Sequence, residues 1–135
     1  MEPPADLRDL VRVKAPLPHP EALKAMQTMT ALLVLSWEGR GGETQLPGKL
    51  YEYVGSGRPV LVCAPAGFES RDLVESFGVG IGAWGDGPIV DALSRLEDFV
   101  PDAKGRESLS RRHSAEQILS LFEAALTRRP RSAGV

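Results

Sequence analysis

Pro47-Gly-Lys-Leu-Tyr-Glu-Tyr-Val-Gly-Ser-Gly-Arg-Pro-Val-Leu-Val-Cys63 is the stretch on which the fold turns. Proline has a fixed φ and no N–H, so Pro47 suits the first helical position, and Gly55 and Gly57 mark the end of that helix. Arg58 to Cys63 is then an apolar, β-branched run that reads as a buried strand. A loop from Ser36 to Leu46, with Gly39, Gly41 and Gly42, leads into Pro47. Loop, short helix and buried strand in immediate succession form a layout for holding a phosphorylated ligand. The free N–H groups and positive dipole end of the helix favour an anion, and a diphosphate would fit there.

Working outward, Ala31-Leu-Leu-Val-Leu35 is an uninterrupted apolar run, the mark of a strand covered on both faces. Before it, Leu23, Met26 and Met29 recur at roughly helical spacing from Glu21, after the stop set by Pro16, Pro18 and Pro20. Leu10 to Val13 reads as a further short strand. Downstream, Leu73, Val74 and Phe77 share a helix face over residues 70–77 that Gly78 terminates, and Val79 to Trp84 is a short strand. Ile89, Ala92, Leu93, Leu96 and Val100 trace an amphipathic helix. The stretch 106–112 is polar and weakly helical. Ser114-Ala-Glu-Gln117 reads as a capping box opening a last helix with Ile118, Leu121, Phe122, Ala125 and Leu126 buried. Residues 1–128 are expected to form one domain, and 129–135 a disordered tail. The alternation predicts an α/β, partial Rossmann-like three-layer domain with a mostly parallel sheet of about four strands, and loops after Val13, Leu35 and Cys63 at one edge.

Composition narrows the partners. With 16 basic and 18 acidic residues among 135 the net charge is −2, which gives no footprint for nucleic acid or a membrane surface. The single cysteine, Cys63, lies in an apolar run and fits a buried thiol in a reducing compartment. No apolar stretch reaches the roughly 18 to 20 residues of a membrane span and the start is no signal peptide, so a cytoplasmic location is expected.

Two familiar motifs fail on inspection. Between Gly42 and Gly48 there are five residues where a P-loop needs four, and Leu50 stands where that loop needs a magnesium-binding Ser or Thr. Gly80-Ile-Gly-Ala-Trp-Gly85 has the letters of a dinucleotide fingerprint, but it follows a helix instead of opening one; its glycines read as points of close backbone approach. Glu52, near the start of the Pro47 helix, could accept hydrogen bonds from two adjacent ribose hydroxyls, or be a solvated helix charge. Lys49 is either a phosphate counter-charge or a surface charge. His19 and His113 are the only histidines, and neither has a Ser or Asp partner at motif spacing. There is no Cys pair or His cluster for a metal, no catalytic constellation and no implied cofactor. Arg128, Arg129 and Arg131 read as a solubilising end, and Trp37 and Trp84 as packing residues. A receiver-like signalling domain is disfavoured because the first strand ends without an acidic pair.

From Leu10 to Leu126 the chain resembles the donor-binding, C-terminal domain of family 4-like glycosyltransferases of the GT-B fold. The residues that carry the resemblance are Val11 to His19 followed by Thr30-Ala-Leu-Leu-Val-Leu-Ser36, Pro47-Gly-Lys-Leu-Tyr-Glu-Tyr53, Gly57-Arg-Pro-Val-Leu61 and the Ser114 helix. It implies that Glu52 holds the donor ribose and that Gly48, Lys49 and Leu50 form the diphosphate edge. Lys14, Ala15, Pro16 and Leu17 would lie against the nucleobase. The chemistry implied is retaining glycosyl transfer from a nucleoside diphosphate sugar, without an obligatory metal.

Two departures from the family pattern bear on activity. The second glutamate found eight positions earlier in many members is Thr44 here, with Glu43 beside it and Glu38 further back. The two strand–helix units expected before Val11, with their basic cluster for the leaving diphosphate, and the N-terminal acceptor domain do not occur in this sequence. In the strand order 3-2-1-4-5-6, their loss leaves a gap of about 10 Å between the Val11 and Ala31 strands. The chain is therefore expected to be an inactive, truncated glycosyltransferase fragment that re-pairs its first strand or self-associates through an exposed sheet edge. The alternative is a non-catalytic binding or oligomerisation module on the same Rossmann-like scaffold.

Overall fold

Val60–Cys63 (β2) is the middle strand of a three-stranded parallel sheet, flanked by Leu32–Leu35 (β1) and Gly80–Ala83 (β3). The register sets Leu32 beside Val60 and Leu35 beside Cys63, then Val60 beside Gly80 and Cys63 beside Ala83. The computed structural model describes residues 4–37, 39 and 41–127. Its helices are α1 (His19–Gln27), α2 (Gly48–Gly55), α3 (Glu69–Ser76), α4 (Asp86–Leu96), α5 (Ala103–Ser108) and α6 (Arg111–Thr127). None is long and apolar enough to cross a membrane.

Chirality explains the layering. Crossovers between parallel strands are right-handed, so two crossovers that advance in the same direction put their helices on the same face. Here α2 joins β1 to β2 and α3 joins β2 to β3. Leu50 and Val54 of α2 and Val74 of α3 accordingly pack with Val34, Val60 and Val62 in one core. The opposite face, Leu61, Cys63, Ile81 and Ala83, is covered by Ala92 and Leu96 of α4, which is free to fold back beneath the sheet. All four residues of β2 are buried, as its unbroken apolar run requires. Fully burying a side chain such as Leu50 contributes about 1.5–3 kcal/mol.

Helix ends follow local chemistry. Pro47 sits one residue outside α2 with an extended ψ of 133° and accepts a 2.8 Å hydrogen bond from the Leu50 N–H at its carbonyl. Gly57 and Gly78 follow α2 and α3 with φ of 77° and 61°, the left-handed conformation that ends a helix without a Cβ clash. At Gly80 the limit is space: a Cβ would press into the Val60 backbone carbonyl. The outer edge of β3 is covered from α3. Glu75 accepts a 3.1 Å hydrogen bond from the Gly82 N–H, and Arg71 pairs with Glu75 while donating to the Ala64 carbonyl.

Several sequence expectations are corrected. The sheet has three strands, because Leu10–Val13 does not pair: the N–H groups of Leu10 and Val11 turn back to the Leu7 carbonyl at 3.0 and 2.8 Å, and Val11 and Val13 are exposed. Loops after Leu35 and Cys63 do share an edge, but Val13 has no strand end to share it with. The last helix starts at Arg111, earlier than the Ser114 box. Ser110 caps it by accepting from the His113 N–H at 3.1 Å, while the Ser114 hydroxyl lies inside the helix and donates to the Ser110 carbonyl. Ile118, Leu121, Phe122 and Leu126 are exposed, Phe122 at 64%, because no described element lies over that face. Trp37 and Trp84, at the carboxyl ends of β1 and β3, are exposed instead of packed. The proposed tail 129–135 and the residues Glu38, Arg128, Arg129 and Arg131 lie outside the described residues.

The close approach at Gly80 is directly testable. Gly80→Ala is expected to lower the free energy of unfolding by about 1–3 kcal/mol through overpacking. Gly87→Ala, in the first turn of α4 with open space at its Cβ, should leave it equal or raise it by up to about 1 kcal/mol. Urea unfolding of the two variants beside the parent chain checks both values.

Candidate functional site

A groove of about 890 Å³ runs over the outer face of α2, walled on one side by α1 and on the other by α5 and α6. Its floor is a helical stripe: Gly48, Tyr51, Glu52 and Gly55 stand at i, i+3, i+4 and i+7, the spacing of one helix face. The inner stripe, Leu50 and Val54, anchors the helix in the core. Topology orients the groove. Because α2 runs opposite to the strands, its Gly48 end lies at the carboxyl edge of the sheet, and its Gly55 end leads back to the start of β2.

The second wall is built by a tight contact. Gly105 of α5 rests on the Phe77 carbonyl so closely that a Cβ would not fit, and the Asp102 N–H donates to the Gly78 carbonyl at 2.9 Å. Asp102 also caps α5 by accepting from the Lys104 N–H at 2.8 Å. With α5 fixed there, the Arg106 guanidinium lies over Gly57, Leu109 packs against the main core, and α6 leaves Ser110 with Arg111, Ser114, Ala115 and Ile118 on the groove.

Glu52 is the acidic side chain at the centre of the stripe. Its Oε1 lies 3.1 Å from His19 Nε2, a contact that joins the start of α1 to α2 across 33 positions of sequence. Arg58 Nε donates to the Gln27 carbonyl at 2.7 Å and ties down the other end of α1. The Oε2 oxygen of Glu52 makes no hydrogen bond to a described residue, so it is open to a hydroxyl or N–H donor from a ligand. No group of three or more His, Cys, Asp or Glu among the described residues is arranged to hold a metal. Burial pushes the Cys63 thiol up from its ordinary pKa, and it lies in the core beneath α4.

The residues singled out in the sequence separate into groups. Gly48 and Glu52 come together on the groove. Lys49 is exposed and outside the lining, and Leu50 is fully buried with its N–H given to Pro47. Lys14, Ala15, Pro16 and Leu17 form an exposed irregular stretch that does not line the groove. His19 joins the site by contact with Glu52, whereas His113 is in α6 beside Gln117. Arg106, Glu107 and Arg111 were not singled out by sequence reasoning. Their only signal there is a polar, weakly helical stretch, and what brings them to α2 is the Gly105 contact.

The exposure of the His19–Glu52 pair, with side chains 66% and 38% accessible, fixes its energetic weight. Exposed ion pairs contribute little, so His19→Ala and Glu52→Ala should each change unfolding free energy by less than about 1 kcal/mol. Urea midpoints close to the parent's are the expected observation, and they make either substitution a clean probe of binding. Comparison of the chain with family models, with curated proteins and with solved structures finds no match.

Proposed function

We propose that this chain binds the nucleoside diphosphate part of a sugar donor in the groove over α2, as the donor-side portion of a cytoplasmic, retaining glycosyltransferase. The observation that carries the reading is Glu52, a half-buried carboxylate on the floor of a groove whose volume suits one small organic ligand. A carboxylate with an open oxygen is a good acceptor for the vicinal hydroxyls of a ribose, because hydrogen bonds to a charged acceptor are the strong ones. Gly48, with no side chain, lets a ligand approach the α2 backbone closely. The Rossmann-like layering and the wording from Pro47 to Leu61 favour the same ligand class. Groups for acceptor binding and for the chemical step would come from outside the described residues, so the chain alone is expected to be inactive.

Calorimetric titration with UDP, GDP and ADP tests this reading. At least one should bind, and Glu52→Ala should weaken it by about 1.5–3 kcal/mol, or roughly ten- to a hundredfold, while the fold is retained. An unchanged dissociation constant would remove Glu52 from the site.

A second reading, a non-catalytic oligomerisation module, draws on a different observation. Leu33 and Leu35 project from β1, at the open edge of the sheet, and are 51% and 67% exposed, an arrangement that invites strand pairing or packing with another copy. Light scattering is expected to show mass rising with protein concentration, and Leu33→Lys with Leu35→Lys to abolish the rise. A parent chain that stays monomeric throughout excludes this reading.

A further inference from the structure

Two arginines stand on the groove. Arg106 and Arg111 line the same cavity as Gly48 and Glu52, on the wall formed by α5 and α6. Neither makes an ion pair or a side-chain hydrogen bond to another described residue, in contrast to Arg58, Arg71 and Arg112. The opposite end of α2 is weaker as an anion site than its glycines suggest. The Leu50 N–H is taken by the Pro47 carbonyl, and Lys49 stands outside the lining.

We propose that Arg106 and Arg111 bind the phosphates of a nucleoside diphosphate whose ribose rests on Glu52. This rests on the nucleotide reading above and assigns the phosphate contacts within it. Arginine suits the task because its planar fork presents paired N–H donors to phosphate oxygens. Glu107 and Glu52 balance the two arginines in formal charge. An anion is then held by directed hydrogen bonds to the guanidinium groups, and phosphate-free nucleosides gain nothing from them.

Arg106→Gln, Arg111→Gln and the double variant are titrated with UDP, GDP and ADP, with uridine, guanosine and adenosine, and with inorganic pyrophosphate. Each single variant should weaken the diphosphate that binds the parent by about tenfold or more, flatten its salt dependence and leave the matching nucleoside unchanged. Arg106 lies against the Gly57 turn, so Arg111→Gln, at an exposed position on α6, is the decisive variant if Arg106→Gln disturbs the fold. Parent-like diphosphate affinity in Arg111→Gln and in a folded Arg106→Gln, alongside weakened binding in Glu52→Ala, overturns the arginine assignment and leaves the ribose site standing. Pyrophosphate binding that the double variant loses, with no nucleotide bound by the parent, supports the arginine site and removes the ribose reading. Failure of the parent to bind either pyrophosphate or any nucleotide overturns both.

Discussion

Burial of β2 on both faces is the constraint from which the rest of the structure follows. A four-residue strand with Val60 and Val62 on one side and Leu61 and Cys63 on the other must be covered by helices from both directions. Right-handed crossovers then decide which helices cover which face, placing α2 and α3 together and leaving α4 for the reverse. Once Leu50 and Val54 are drawn into the core, the remaining stripe of α2 has to face outward. The candidate site is that outward stripe, so its position is a consequence of how the central strand is buried.

Elements with a strong local signal were legible in the sequence. The apolar runs at Ala31 to Leu35 and Arg58 to Cys63 are strands, and the glycines at 57 and 78 end helices, because burial on two faces and a left-handed turn each demand particular residue types. What the sequence obscured depends on neighbours. Leu10–Val13 has the composition of a strand but finds a closer partner for its N–H groups in the Leu7 carbonyl. Periodicity shows that α6 has an apolar face without saying whether anything lies over it. The site was half legible for the same reason. Gly48 and Glu52 are on one helix, whereas His19, Arg106 and Arg111 reach them only through tertiary contacts at the two ends of α1 and at Gly105.

The uncovered surface bears on both functional readings. Among the described residues more large apolar side chains are exposed than buried, and the exposed ones concentrate on α6, on the outer side of β1 and in the stretch before α1. Binding a small ligand over α2 would cover Tyr51 and Ile118 at most, since Leu119, Leu121, Phe122 and Leu126 of α6 do not line the groove. A nucleotide site and an assembly surface are therefore compatible on this scaffold, one on the helical layer and the other at the sheet edge.

Backbone amide shifts of the labelled chain, followed while UDP, GDP and ADP are added, give the most direct test of the claim that the groove over α2 is a nucleotide site. The prediction is a saturable set of changes confined to His19, residues 48–55 and residues 106–118, the segments that meet there. Changes centred on other parts of the chain, or none at millimolar nucleotide, would contradict it.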